Sequence, residues 1–236
     1  MLMISRELQG LEPSQEPSGS RAARIASIAV LALIIAAAGA SAQKTIDRVA
    51  AVVDRQVITL SEIDQMVAIR FFPRRTSASD DDVRHDVLEA LIAQTLRLRD
   101  VQRFGAQDVP KDSIEARLQA MEKRFASEAE YMAALRSAEL SLDDVRALVK
   151  RQLQVESYVQ ERLAPLILVS NEEIQSYYNT TWSQQRRERG LPIPPLPEVR
   201  EEIRTLLKST RLQSDIDQWT EQLRAHVNVD VYTWRG

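Results

Sequence analysis

Between Thr59 and Glu173, five hydroxyl residues that stand three positions ahead of a carboxylate open a helix-periodic stretch: Thr59 with Glu62, Ser79 with Asp82, Ser127 with Glu130, Ser141 with Asp144, and Ser170 with Glu173. At that spacing the hydroxyl accepts from a free backbone N–H in the first turn of a helix, while the carboxylate reaches back to another. Each pair is followed by apolar residues at three- and four-residue intervals, so each marks a helix start. A chain punctuated in this way folds as a succession of helices. Its six glycines agree, since they leave few sites for the tight turns of an all-β protein.

The boundaries follow from the same signals. A first helix is predicted from Leu60 to Phe72, ended by Pro73. A second runs from Asp80 to Phe104, with Val83, Val87 and Leu91 in one row and Leu88, Ile92 and Leu96 in another, and Gly105 as its stop. A third spans Lys111 to Phe125, a fourth Ser127 to Ser137, and a fifth Leu142 to Leu163, where Pro165 breaks the pattern. A sixth extends from Asn171 to Trp182. Residues 183–196 hold most of "SQQRRERGLPIPPLP", which lacks periodicity and reads as a proline-rich extended linker. After it, "PEVREEIRTLLKSTRLQSDIDQWTEQLRAH" is again helix-periodic, and Val227 to Tyr232 alternates in the manner of a half-buried strand.

Two further strands are predicted near the other end, Arg48 to Val53 and Gln56 to Thr59, with Asp54-Arg55 as a turn that lacks the glycine such turns prefer. A lone two-stranded hairpin is marginal in water, whereas three strands packed on helices are stable. Val227 to Tyr232 is therefore expected to pair with the hairpin. The fold class is mainly α: a helical bundle with a small antiparallel sheet formed by the N-terminal hairpin and the C-terminal strand. The expected organisation is a helical domain over 43–182, the linker over 183–196, and a C-terminal helix and strand over 197–236 that return to the helical domain.

Residues 1–42 carry a different signal. Arg21 and Arg24 precede the apolar run "IASIAVLALIIAAAGASAQ", which ends in the small-residue triplet Ala40-Ser41-Ala42. These are the parts of a secretory signal, with cleavage expected after Ala42 and export of the mature chain. The run is shorter than the roughly 20 residues that cross a bilayer, so no stable membrane insertion is expected after cleavage; an uncleaved anchor is the competing reading. The chain has no cysteine, which excludes disulfides, thiol chemistry and a lipoprotein anchor. Its formal net charge of −3, with both signs interspersed, makes no case for a nucleic-acid partner.

"DRVAAVVDRQVITLSEID", "VRHDVLEALIAQTLRLRDVQRFG", "VPKDSIEARLQAMEKRF", "SLDDVRALVKRQLQVESYV" and "LILVSNEEIQSYYN" together resemble the N-terminal domain of the SurA family of periplasmic chaperones. "PEVREEIRTLLKSTRLQSDIDQWTEQLRAHVNVDVY" is similar to that family's C-terminal helix and strand. The resemblance covers residues 46–232. It implies a chaperone core in which the two ends of the chain pack together. Many relatives carry one or two parvulin-type prolyl isomerase domains before the terminal helix, and here only Thr180 to Leu196 fills that place. The paired histidines of the parvulin site are also missing, since His85 and His226 stand far apart.

No catalytic, metal or cofactor constellation emerges from the residues. The Asp80-Asp81-Asp82 triplet lies at a helix start, where acidic residues are ordinary. No glycine-rich phosphate loop is present, so no nucleotide cofactor is expected. Candidate client-binding residues are methionines, aromatics and a leucine that suit an adaptable apolar groove: Met66, Phe71, Phe72, Met121, Phe125, Tyr131, Met132, Leu135, Tyr177 and Tyr178. The groove reading comes from the resemblance; by periodicity alone the same residues are core. The expected function is an exported, ATP-independent holdase, not an enzyme, whose partners are unfolded outer-membrane or secreted polypeptides. The alternatives are a dedicated assembly factor or structural partner in the envelope, and a residual prolyl isomerase. Because the linker is the one tether to the terminal helix, a homodimer formed by exchanging that helix is compatible with the sequence.

Overall fold

In the computed structural model, β1 (Val49–Val53) lies at the centre of a three-stranded antiparallel sheet, flanked by β2 (Gln56–Thr59) and β3 (Val229–Val231). Val53 faces Gln56 on one side and Val229 on the other. The backbone N–H of Asp54 donates to Asn228 O at 2.8 Å and that of Tyr232 to Ala50 O at 2.9 Å, extending the pairing beyond both ends of β3. The sheet of hairpin and C-terminal strand expected from the sequence is thus present, and it binds Asp47 and Tyr232 to one body. The structure describes residues 47–73, 78–105 and 108–232, and these belong to one compact unit. The signal expected over 1–42 lies outside the described residues.

The hairpin turn carries the consequence of its missing glycine. Asp54 adopts a left-handed backbone with φ 56°, a region aspartate tolerates better than most residues. Its carboxylate also meets Arg99 Nη1 at 2.8 Å.

The helices are α1 (Leu60–Ala68), α2 (Asp80–Arg103), α3 (Lys111–Glu122), α4 (Glu128–Ser137), α5 (Leu142–Tyr158), α6 (Asn171–Tyr177), α7 (Ser183–Glu188) and α8 (Leu196–Ala225). At Ser79, Ser141 and Ser170 the hydroxyl and the acid three residues on cap each other reciprocally. Thr59 and Ser127 accept from the expected N–H groups, of Glu62 and Glu130. The carboxylate of Glu130 is spent elsewhere, on the N–H of Ala126 at 2.8 Å and on Arg70.

Helix ends differ from the sequence expectation at several places: the third helix stops at Glu122 instead of Phe125, and three other differences have an identifiable cause. The first helix stops at Ala68 instead of Phe72, because Arg70 turns left-handed at φ 51°. The N–H of Phe71 then donates to Met66 O and that of Arg70 to Val67 O, the paired bonds of a helix-terminating Schellman turn. In α5, Pro165 cannot donate to the carbonyl of residue 161 and crowds it. The helix accordingly widens into a π turn over Val159–Leu163 and closes with a 3-10 turn at Ala164–Leu166. The extended linker expected from residue 183 begins instead as helix. A π turn at Tyr178–Trp182 leads into α7, and Gly190, at φ 66°, ends it. Burial explains this continuation, since Trp182 and Ser183 are both buried.

The interior has two parts. The larger core joins the sheet to α1 through α5, with Ile58, Ile63, Leu88, Ile92, Val145 and Val149 almost wholly inaccessible, and Leu223, Val227 and Val229 of the returning C-terminus pack on it. The smaller one gathers Ile174, Trp182, Leu196, Val199 and Ile203, flanked by Tyr177, Tyr178 and Leu207. Helix α8 takes part in both.

Candidate functional site

The Schellman turn at the end of α1 swings the chain so that Phe72 and Pro73 face α2. Between them lies a cleft of about 650 Å³. One wall is Met66 and Val67 of α1, the other Val83, Val87 and Ala90 of α2, with Phe72 and Pro73 at the turn. The helical period of four brings Val83 and Val87 to one face, and Ala90 continues that face. Its polar lining groups are Arg70, Asp86 and Arg124.

Arg70 and Arg124 form a reciprocal latch across two corners of the bundle, although 54 positions separate them. The Arg70 guanidinium donates to the backbone carbonyl of Arg124, and Arg124 Nη1 donates to Arg70 O at 2.5 Å and to Phe71 O at 3.0 Å. Arg70 also pairs with Glu130 at 2.9 Å and lies over the Phe125 ring, 4.2 Å from its centroid. The turn that shapes one end of the cleft is therefore tied to the corner between α3 and α4. Arg124 has no carboxylate partner among the described residues.

Of the ten candidate residues named from the sequence, Met66 and Phe72 line this cleft, and Met66 is at the same time buried in the larger core. Phe71, Met121, Phe125, Tyr131 and Leu135 are buried in the larger core, and Met132 is packed against it. Phe125 and Tyr131 touch at 5.3 Å between ring centroids. The Tyr131 hydroxyl is buried without a hydrogen-bond partner among the described residues, and burial, with Glu122 nearby, pushes its pKa up. Tyr177 and Tyr178 flank the smaller core; Tyr178 stacks on Trp182 and donates to Pro194 O at 2.8 Å. Val67, Val83, Val87 and Ala90 are not among those candidates; Val83 and Val87 read in the sequence as an apolar helix row, and both are also buried in the larger core. At helical spacing they carry the same signal as core residues, and no feature of the sequence separates the two roles.

A shallower recess on the other side of α1 is more polar, lined by Thr59, Glu62, Gln65, Leu140, Asp144 and Arg151. Burial raises the Glu62 pKa, opposed by the nearby charge of Arg151. Hydrogen bonds from Ser141 hold Asp144 below the usual carboxylate range. Among the described residues there is no group of three or more potential metal ligands, and no helix is long and apolar enough to cross a membrane.

No family model matches the chain. It is similar to proteins named Chaperone SurA: 29% identical over 150 residues to that of Pseudomonas fluorescens, covering 62% of this chain and 35% of the relative. The corresponding protein of Saccharophagus degradans is 28% identical over 166 residues, covering 68% and 38%. That of Pseudomonas putida is 32% identical over 155 residues, covering 62% and 35%. The chain thus spans little more than a third of the length of these curated relatives, and the matched stretch is shorter than the 46–232 span of the resemblance in sequence. With its hairpin, helical bundle and returning C-terminal strand, the chain is SurA-like, similar to the chaperone SurA proteins over the matched part of their length.

Proposed function

We propose that the protein is an exported, ATP-independent holdase that shields unfolded outer-membrane or secreted polypeptides in the periplasm. The observation that carries this reading is the apolar cleft between α1 and α2 in a SurA-like chain. In this reading the signal over 1–42 is removed after Ala42, residues 43–182 bear the client site, and the terminal helix and strand complete the same body. Extended client segments bury apolar side chains against Met66, Val67, Phe72, Val83, Val87 and Ala90. Each large side chain so buried contributes roughly 1.5–3 kcal/mol. Ordering the client opposes much of that gain, so net affinity is modest and release needs no energy source. The function is binding without covalent chemistry, and no prolyl isomerisation is assigned to it.

The test is aggregation. An unfolded outer-membrane β-barrel protein, and separately an unrelated unfolded soluble protein, are diluted into buffer with and without the purified protein, and light scattering is followed in the absence of ATP. Suppression at near-stoichiometric ratios is the expected result. Protection of neither client contradicts the reading.

A further inference from the structure

The turn after α7 carries exposed apolar side chains next to arginines that have no acidic partner. The N–H of Gly190 donates to Arg187 O at 3.1 Å and that of Leu191 to Arg186 O at 2.9 Å, the paired bonds of a Schellman turn. Arg186 Nε then donates to Pro192 O at 2.7 Å, and its guanidinium lies 4.7 Å from the centroid of the Trp182 ring. The loop is thereby folded back on α7, and Arg187, Arg189, Leu191 and Ile193 share one corner of the molecule. Leu191 is 44% exposed and Ile193 38%, and both Arg187 and Arg189 are exposed. Neither of these two arginines has a carboxylate partner among the described residues. Residues 183–197 hold three arginines against one acid, Glu188, whose carboxylate accepts from the Gln184 amide at 2.9 Å. The next acid is Glu198, in the first turn of α8.

The backbone of this corner is prepared to leave water. Pro192, Pro194 and Pro195 have no N–H, and the N–H of Leu191 is used inside the turn, so from 191 to 195 only the N–H of Ile193 lacks a partner among the described residues. The carbonyls of Pro192, Pro194 and Pro195 accept from Arg186, from the Tyr178 hydroxyl at 2.8 Å and from the N–H of Glu198 at 3.0 Å. Unpaired backbone groups are what makes entry into an apolar medium costly, and few remain here. The same bonds speak against a protein groove that reads extended proline-rich chain, because such grooves take a chain whose backbone is solvated. Apolar side chains at the tip with cations beside them are complementary to an anionic bilayer surface. We propose that this corner docks the protein on an anionic phospholipid surface, with Leu191 and Ile193 at the boundary between headgroups and acyl chains and Arg187 and Arg189 on lipid phosphates. None of these residues lines the cleft between α1 and α2, so the proposal is independent of the client reading.

The experiment uses residues 43–236, which contain the compact unit of the fold and omit the apolar run over 25–42. Co-sedimentation is measured with vesicles of phosphatidylcholine containing phosphatidylglycerol and with vesicles of phosphatidylcholine alone. Binding to the anionic vesicles is expected, falling with added salt and weakening about fivefold on each of Arg187→Gln and Arg189→Gln, the scale of one arginine near such a surface. Because the chain has no cysteine, Ile193→Cys and, separately, Gln213→Cys each accept a single environment-sensitive dye. Emission from the dye at 193 should move to shorter wavelength on anionic vesicles, and that from 213, on the exposed middle of α8, should not. The comparison of the two kinds of vesicle on the unaltered protein stands even if a variant folds poorly. Absence of sedimentation with anionic vesicles overturns the proposal, and so does equal binding to both kinds. Sedimentation with unchanged emission at 193 overturns it as well, since another face then meets the lipid. A dye at 193 that ignores vesicles but responds to lipid-free envelope proteins overturns it in favour of a protein partner.

Discussion

Trp219 of α8 stacks on Tyr158, the last residue of α5, with ring centroids 5.5 Å apart and an interplanar angle of 27°. The same indole donates from Nε1 to Asp100 Oδ2 of α2 at 3.1 Å, and a turn further on Arg224 Nη1 meets Glu89 Oε2 at 2.7 Å. The C-terminal half of α8 is thus attached to the bundle by a few half-exposed contacts before β3 enters the sheet. Trp219→Ala should cost about 2 kcal/mol, from a lost half-buried aromatic and its stack. Trp219→Phe, which keeps the stack and loses the hydrogen bond, should cost about 1 kcal/mol. Chemical denaturation of the two variants checks the order; equal losses would mean that the indole N–H carries the contact alone.

The smaller core predicts a local effect instead. Ile203 is fully buried among Ile174, Trp182, Leu196 and Val199. Ile203→Ala should cost about 3 kcal/mol, as for buried aliphatic truncations elsewhere. Because few residues share that core, the loss should appear as faster amide hydrogen exchange over residues 170–207, with 80–150 still protected. Uniform loss of protection across the chain would show that the two cores unfold as one.

At Asp54 the left-handed turn limits what can be substituted. Asn tolerates φ 56° and gives up only an exposed ion pair with Arg99, so Asp54→Asn should change stability by less than about 1 kcal/mol. Asp54→Val, β-branched at the same φ, should lose about 2 kcal/mol and weaken the pairing of β1 with β2. Thermal melts of the two variants measure the difference.

Glu62 gives a pH dependence of defined sign. Burial raises its folded pKa above the unfolded value, so ionised Glu62 opposes folding. This cost is full above the folded pKa and vanishes below the unfolded one, where both states are protonated. Glu62→Gln should therefore raise the melting temperature at neutral and mildly alkaline pH, and the gain should fade as the pH drops through the carboxylate range. A gain that grew on acidification would contradict the assignment.

The helical fold was legible because its boundaries are written in short-range chemistry. Ser79, Ser141 and Ser170 each meet a partner three residues away, a pairing that does not depend on the rest of the chain. Strand pairing at the termini was legible too, since an alternating Val227 to Tyr232 has to cover its exposed face and the hairpin needs a third strand. What escaped depends on long-range packing. Arg70 at φ 51° is stabilised by Glu130, by the carbonyl of Arg124 and by the Phe125 ring, all more than fifty residues away. The proline composition after residue 183 speaks for extended chain, yet the burial of Trp182 and Ser183 carries the helix on to Glu188. At the candidate site, choosing methionines and aromatics took in Met66 and Phe72, which line the cleft. It also gathered core residues such as Met121 and Tyr131, and Met66 itself belongs to that core, because side-chain type does not distinguish a groove from an interior.

The most direct test of the proposal that clients bind in the cleft between α1 and α2 is crosslinking from inside it. A photoreactive amino acid is placed at Phe72, in the cleft, and separately at Gln213, on the exposed middle of α8. Each protein is irradiated with an unfolded outer-membrane β-barrel protein in excess. The account predicts strong adducts from position 72, lost when Ala90→Glu is added, and few from position 213. Equal or stronger adducts from 213, or adducts from 72 that persist with Ala90→Glu, would contradict the claim that clients bind between α1 and α2.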